Sequence, residues 1–226
     1  MTTNGHSLNG WRTDPMYTFS EAAHLARVSS GTVRNWLFGF PNQPETVRPL
    51  FDAPQGQGPM VSFLQLVEIV VAGRLRKAER ASFQTVYQAY RNAKQEYPYE
   101  YPFAHLELRA IGGHIVHFIH GQRHYQALDQ LQQWTLPGLV EELMEQIHYD
   151  DEDLAARWSP MGKDVPIIVD PQFSSGAPTI VGRGVTVQAI HSRFKAGLLI
   201  DFIANDLVLE RTVVERALQY AERVAL

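Results

Sequence analysis

Residues 17–40 read YTFSEAAHLARVSSGTVRNWLFGF. Ser20 is predicted to cap a helix that carries Ala22, Ala23, Leu25 and Ala26 on its apolar side and ends at Val28. Ser29 and Ser30 then cap a second short helix, residues 31–38, with Val33, Trp36 and Leu37 turned inward. Gly39 stops it, and Pro41 cannot continue it. Two short helices about a tight turn form a helix-turn-helix.

The chain around this unit follows the same reading. Residues 41–60 are rich in Pro, Gly and Gln. Residues 47–51, then the Gln/Gly tip at 55–58, then Met60 and Val61 predict a β-hairpin, which directly after a helix-turn-helix is a wing. Ser62 caps a long amphipathic helix, SFLQLVEIVVAGRLRKAER, and residues 82–96 form another with Phe83, Val86, Tyr87 and Tyr90 on one side. The Tyr/Pro-rich stretch 97–102 marks a boundary. Gly112 and Gly113 between alternating runs predict a second hairpin. Residues 137–148 read as a helix, and the acidic run 150–153 as the start of a further short one. A short strand at 165–169 and a glycine-punctuated stretch at 176–184 lead into a closing three-helix unit, residues 187–196, 198–205 and 209–224.

The expected fold is therefore α+β and mainly helical. It comprises an N-terminal winged helix-turn-helix and a C-terminal three-helix domain with short β elements. Residues 1–96 are expected to be a DNA-binding domain with a helical dimerisation extension, 103–160 a β-hairpin and helix connecting region, and 161–226 the C-terminal domain.

Composition narrows the function. The 226 residues are 45% hydrophobic and 19% charged, enough to bury a core and unlike a disordered chain. There is no cysteine, which excludes disulfides, thiol catalysis and thiolate zinc sites. No apolar run reaches the ~20 residues of a membrane span, and the first ten residues do not read as a signal peptide. A cytoplasmic protein is expected. The formal charge is −4, so the chain is not a uniformly basic nucleic-acid binder. The charge is uneven, however: residues 1–96 carry 10 Lys/Arg against 7 Asp/Glu, and the remainder 10 against 17. A nucleic-acid face at one end and a protein-binding part at the other fit that asymmetry.

Ser29, Ser30, Thr32, Arg34 and Asn35 lie at the start and outer face of the second helix, where a recognition helix meets base edges and phosphates. No acid sits between residues 31 and 40. Arg48 adds a cation on the wing. The competing reading is a generic helical hairpin with a polar outer face. In the closing helix, Arg211, Arg216 and Arg223 are offset by Glu210, Glu215 and Glu222, so that helix has no net pull on phosphate.

Other constellations favour ordinary structure. His105, His114, His117, His120 and His124 do not converge on one strand face with a carboxylate, so packing histidines are favoured over a metal site. The glycines at 176–184 lack P-loop and dinucleotide spacing. The acidic run lacks EF-hand spacing, and Ser174 and Ser175 have no nucleophile-elbow setting. No enzyme activity, metal or cofactor is expected.

Two resemblances follow from these residues. Tyr17, Thr18, Phe19, Ser20, Glu21, Ala22 and Ala23, followed by VSSGTVRNW at 28–36, resemble the helix-turn-helix of MerR-like regulators. Asp170, Pro171, Gly176, Pro178, Gly182, Gly184, Ala196, Gly197, Val214, Ala217, Leu218, Tyr220 and Ala221 resemble the domain-of-unknown-function 433 family. The sequence departs from that pattern at Gly182, Arg183 and Gly184, where Gly-Thr-Arg is usual. With SFLQLV at 62–67, the whole resembles VapB-type antitoxins that carry both domains. This resemblance implies an antitoxin that neutralises a PIN-domain ribonuclease toxin and represses its own operon by binding operator DNA. Because a single helix-turn-helix reads a short half-site, a homodimer is expected, with the apolar helix from Phe63 to Leu75 and the helix carrying Phe83, Tyr87 and Tyr90 as its candidate surface. Asp150, Asp151, Asp153, Gly176 and Arg183 are the expected toxin contacts. The alternatives are a MerR-like regulator answering a small ligand, without a toxin, and a metal-dependent enzyme built on the histidines.

Overall fold

The computed structural model describes residues 10–40, 49–52, 58–78, 82–96, 99–105 and 138–224. Arg48, the hairpin expected about Gly112 and Gly113, and His114, His117, His120 and His124 lie outside the described residues. The architecture is mixed α and β, mostly helical, with short antiparallel strand pairs.

Strand β1 (Tyr17–Thr18) leads into helices α1 (Phe19–Ala26) and α2 (Ser30–Phe38). Thr18, not Ser20, caps α1. Its hydroxyl accepts the Glu21 N–H at 3.2 Å, and the Glu21 carboxylate accepts the Thr18 N–H at 2.7 Å. This reciprocal box needs Glu three residues after the cap, and only Thr18 has one. α1 ends at Ala26, two residues earlier than expected, because Arg27 takes a left-handed conformation with φ 58°. Ser29 caps α2 by accepting the Thr32 N–H at 3.0 Å.

Strand β2 (Met60–Val61) pairs with β1, Tyr17 opposite Val61 and Thr18 opposite Met60. It was expected to pair with residues 47–51. Leu50 and Phe51 instead donate their N–H groups to the Trp36 carbonyl at 2.8 and 3.0 Å. Both are 2% exposed. Consecutive apolar residues that are both buried do not alternate as a half-exposed strand does; they plug the core beside α2.

Helix α3 (Phe63–Ala78) is the central element, capped by a Ser62–Gln65 box. Its residues from Phe63 to Leu75 are buried apart from Arg74. The expected dimer surface was α3 with Phe83, Tyr87 and Tyr90 of the next helix; the apolar side chains of α3 and Tyr90 are buried within the chain, and Phe83 and Tyr87 are half-buried. Gly73 lets it approach the helix-turn-helix, since a Cβ there would lie 3.1 Å from Val28 and 3.3 Å from the Ala26 carbonyl. Helix α4 (Phe83–Glu96) lays Tyr90 on Phe51 and Phe103 with edge-on rings at 5.0 and 5.1 Å. Tyr90 donates to the carboxylate of Glu68 at 3.2 Å, and Glu68 is 1% exposed.

Helix α5 (Gly138–Gln146) runs straight into strand β3 (Ile147–Tyr149), which pairs with β4 (Ala155–Trp158). The acidic run 150–153 is the turn of this hairpin and not a helix start. The Asp150 carboxylate accepts the N–H groups of Glu152 and Leu154 at 3.0 and 3.1 Å, and Asp153 is left-handed at φ 57°. Aspartate at the head of a turn competes for backbone donors in this way, and a helix loses.

Strands β5 (Ile167–Ile168) and β6 (Thr179–Ile180) pair antiparallel. Three helices follow: α6 (Val187–Lys195), α7 (Ile200–Asp206) and α8 (Arg211–Arg223). Trp158 and Val169 exchange backbone hydrogen bonds at 2.9 and 2.8 Å, joining β4 to the C-terminal unit. One apolar cluster runs from Tyr17 through α3 to Val224.

Candidate nucleic-acid interface

The interface is built from α1 and α2. Alanines and Leu25 on α1 meet Val33, Trp36 and Leu37 on α2, and all are buried. This fixes the outer face of α2. Ser30, Gly31 and Arg34 on that face are exposed, and Thr32 and Asn35 are half-buried. Ser29 is exposed, but its hydroxyl caps the helix and lies 2.8 Å from that of Thr32. Ser30, Arg34 and Asn35 make no side-chain hydrogen bond among the described residues. Ser30 stands in the first turn of α2, where the helix presents partial positive charge, and Arg34 and Asn35 follow one turn on. The turn adds Arg27, which sequence reading missed. It lies between two helices, and nothing in composition signals that a non-glycine residue there takes the left-handed conformation.

Two arginines of α8, Arg211 and Arg216, are engaged elsewhere. Arg211 pairs with Asp201 and, at 2.8 Å, with Glu215. These partners raise its pKa above the ordinary guanidinium value, the Asp201 bond most. Arg216 bonds Gln219 at 3.3 Å.

The five expected toxin contacts separate. Asp150 is an internal fastener, paired with Arg12, which is 3% exposed. Burial pushes the Asp150 carboxyl up, but the bonds from Arg12 and from the Leu154 and Glu152 backbone outweigh this and hold it below its ordinary value. Gly176 is buried and left-handed at φ 71°. The Tyr17 hydroxyl donates to its carbonyl at 3.1 Å, and a Cβ on Gly176 would lie 2.0 Å from the Tyr17 oxygen. Burial raises the Tyr17 phenol well above its ordinary range. Asp151, Asp153 and Arg183 are exposed. Arg183 lines an open groove of about 440 Å³ with Ile180, Val181, Val208 and Val213. Nearby, Leu199 is 76% and Phe202 57% exposed. His105 stacks on Tyr99 at 3.7 Å and bridges to Leu154. Among the described residues no three His, Asp or Glu converge as a metal site, and no helix is long and apolar enough to cross a membrane.

Residues 167–221 match the family described as "Protein of unknown function (DUF433)". The chain is 23% identical over 227 residues to the uncharacterized protein Rv2308 of Mycobacterium tuberculosis (strain ATCC 25618 / H37Rv), covering 93% of this chain and 92% of that protein. It is also similar to the X-ray crystal structure of Rv2018 from Mycobacterium tuberculosis, with a TM-score of 0.72 and 21% identity, across 92% of this chain and 99% of that one. The likeness to Rv2018 is one of fold. The C-terminal region of this chain, from β5 into α8, is thus a DUF433 region.

Proposed function

We propose that the chain is a DNA-binding antitoxin of a type II toxin–antitoxin pair, with a MerR-like helix-turn-helix that represses its own operon. The observation that carries the DNA half is the outer face of α2. Ser30, Arg34 and Asn35 stand on it without internal hydrogen bonds, no acid lies on the helix, and Val33, Trp36 and Leu37 anchor it from behind. A helix held rigidly by its apolar side with its N-terminal polar face outward is what major-groove reading requires. A single unit of this size reads a short half-site, so the operator complex is two-fold.

The toxin half rests on the antitoxin resemblance and on the DUF433 region. Val208 in the Arg183 groove, with exposed Leu199 and Phe202 earlier on the same segment, gives that region the apolar area a protein partner needs. Asp151, Asp153 and Arg183 are retained as toxin contacts; Asp150 and Gly176 are not, because their side chain and backbone serve the chain itself. The partner is a PIN-domain ribonuclease.

Two measurements test this reading. Gel shifts use duplex DNA from upstream of the protein's own gene, and pull-down follows co-expression with the neighbouring gene. Specific retardation that Arg34→Ala weakens supports the DNA half. A neighbouring ribonuclease that co-purifies, and is released by Phe202→Asp, supports the toxin half. Equal wild-type affinity for the upstream and an unrelated duplex, or unchanged specific affinity in Arg34→Ala, sinks the first; an intact complex in Phe202→Asp moves the toxin elsewhere.

A further inference from the structure

A cavity of about 140 Å³ lies where the turn of the helix-turn-helix, α3, α5, β4 and α8 meet. Three arginines from distant parts of the chain line it: Arg27 from the turn, Arg74 from α3 and Arg223 from α8. None of them forms an ion pair among the described residues, and Arg223 donates only to the sulfur of Met161 at 3.4 Å. Glu142 is the only carboxylate among the described lining residues. Unpaired like charges held together cost free energy unless something of opposite sign joins them. Burial lowers the pKa of Arg74 most, the neighbouring Arg27 lowers it further, and Glu142 raises it.

The remaining walls specify the occupant more closely. Trp158 and Tyr220 are 2% and 3% exposed and line the cavity, and the indole Nε1 and the phenol oxygen have no hydrogen-bond partner among the described residues. Gln146 Oε1 is buried and equally without one. Guanidinium and indole groups only donate, so most of the wall calls for an acceptor. Gln146 Oε1 and Glu142 accept, so the occupant also offers a donor. Buried polar groups in folded proteins are normally satisfied, and a cluster that is not marks a missing ligand or water. The volume is close to that of an engineered cavity that holds benzene, ~150 Å³, and well below the ~300–1,000 Å³ of a drug-sized site.

We infer that this cavity is a binding site for a small oxyanion that carries a hydroxyl, hydrogen phosphate being the simplest, held between the helix-turn-helix and the C-terminal helix. The arginines take its charged oxygens, the indole and phenol donate to it, and Gln146 with Glu142 receives its hydroxyl. Arg27 belongs to the turn that sets α2 against α1, so an occupant ties the reading element to α8. That regulatory consequence rests on the DNA reading above; the site itself does not.

The test is isothermal titration of the full chain with sodium phosphate, in chloride buffer of matched ionic strength and pH. A saturable single-site heat is expected. Each of Arg27→Gln, Arg223→Gln and Arg74→Gln should weaken it about tenfold or more, the loss of one charge-assisted bond. Arg183→Gln, outside the cavity, should leave it unchanged. Arg27 and Arg223 are exposed, so their variants keep the test open if Arg74→Gln fails to fold. No saturable heat, or the same heat in Arg27→Gln and Arg223→Gln as in wild type, overturns the site. If those two variants lose affinity for duplex DNA while phosphate gives no heat, the arginines hold the DNA backbone and the site is again overturned. If phosphate binds but leaves duplex affinity unchanged, the site stands and the regulatory link fails.

Discussion

The Tyr17 hydroxyl donates to the carbonyl of Gly176 at 3.1 Å, although 159 positions separate them. It fastens the strand that opens the helix-turn-helix to the DUF433 region. Tyr17→Phe keeps the ring and removes the bond, so it should cost about 0.5–1.5 kcal/mol. Gly176→Ala should cost more, about 2–4 kcal/mol, because the left-handed backbone and the 2.0 Å approach to Tyr17 both oppose a Cβ. Urea unfolding measures both, and a Gly176→Ala protein as stable as wild type would contradict the contact.

Asp150 and Arg12 form the second fastener. Asp150→Ala leaves a guanidinium that is 3% exposed without its partner, and should destabilise by about 3 kcal/mol. Asp151→Ala in the same turn should change stability by less than ~0.5 kcal/mol. The Asp150 carboxyl is held below its ordinary value when folded. Its contribution is therefore present above the unfolded value of 3.8 and lost as pH falls through the lower folded value. Thermal unfolding from pH 7 to pH 2 should show the wild type converging on Asp150→Ala at the acid end.

Glu68 titrates in the opposite sense. Burial raises its carboxyl well above 4.5, and Lys94 and the Tyr90 bond only partly oppose this. Below 4.5 the group is protonated in both states and carries no penalty. As pH rises the unfolded chain ionises first, and stability falls until the folded carboxyl ionises too. Glu68→Gln should match the wild type at pH 4 and exceed it by about 1 kcal/mol or more at pH 8. Melting curves at the two pH values decide it, and a gap that shrinks with pH would reverse the assignment.

The DNA face makes a paired prediction. Arg34→Ala should lower operator affinity by about 1–3 kcal/mol if it reads a base bidentately, and relax specificity there. Arg211→Ala should leave affinity unchanged, because Asp201 and Glu215 already neutralise that guanidinium. Gel-shift titrations at two salt concentrations separate base reading from phosphate contact.

Cutting the chain near residue 97 should not release two working halves. Fragment 1–96 leaves Arg12 and Tyr17 without Asp150 and Gly176, and bares the α3 surface that faces α5 and β4. We expect both fragments to lack a cooperative melting transition, and co-expression of the two to restore one.

Local signals in the sequence were read well where one residue type decides the outcome. Val33, Trp36 and Leu37 face inward as their spacing predicts, Ser29 and Ser62 cap their helices, and the three closing helices follow their apolar periodicity. The misses lie where a long-range partner overrides a local preference. Met60 and Val61 suit a hairpin with either neighbour, and β1, some forty residues upstream, takes them. Asp150 looks like a helix start until the hairpin and Arg12 claim its carboxylate. Gly176 reads as a flexible turn, yet it is a close contact whose partner no spacing rule could name. Arg27, Arg74 and Arg223 are scattered in sequence, and only the packing of α8 against the turn gathers them.

The Tyr17–Gly176 contact also has a meaning for synthesis. Tyr17 emerges from the ribosome 159 residues before its partner. At ~5–20 residues per second, roughly ten to thirty seconds pass before the contact can form. Through that interval the side of β1 that Gly176 closes stands uncovered beside the growing chain. Slower elongation lengthens the exposure without altering the finished protein. A product stalled short of residue 176 keeps that face open permanently, which makes it a substrate for chaperones and proteases. The yield of folded protein in the cell thus depends on translation rate as well as on equilibrium stability.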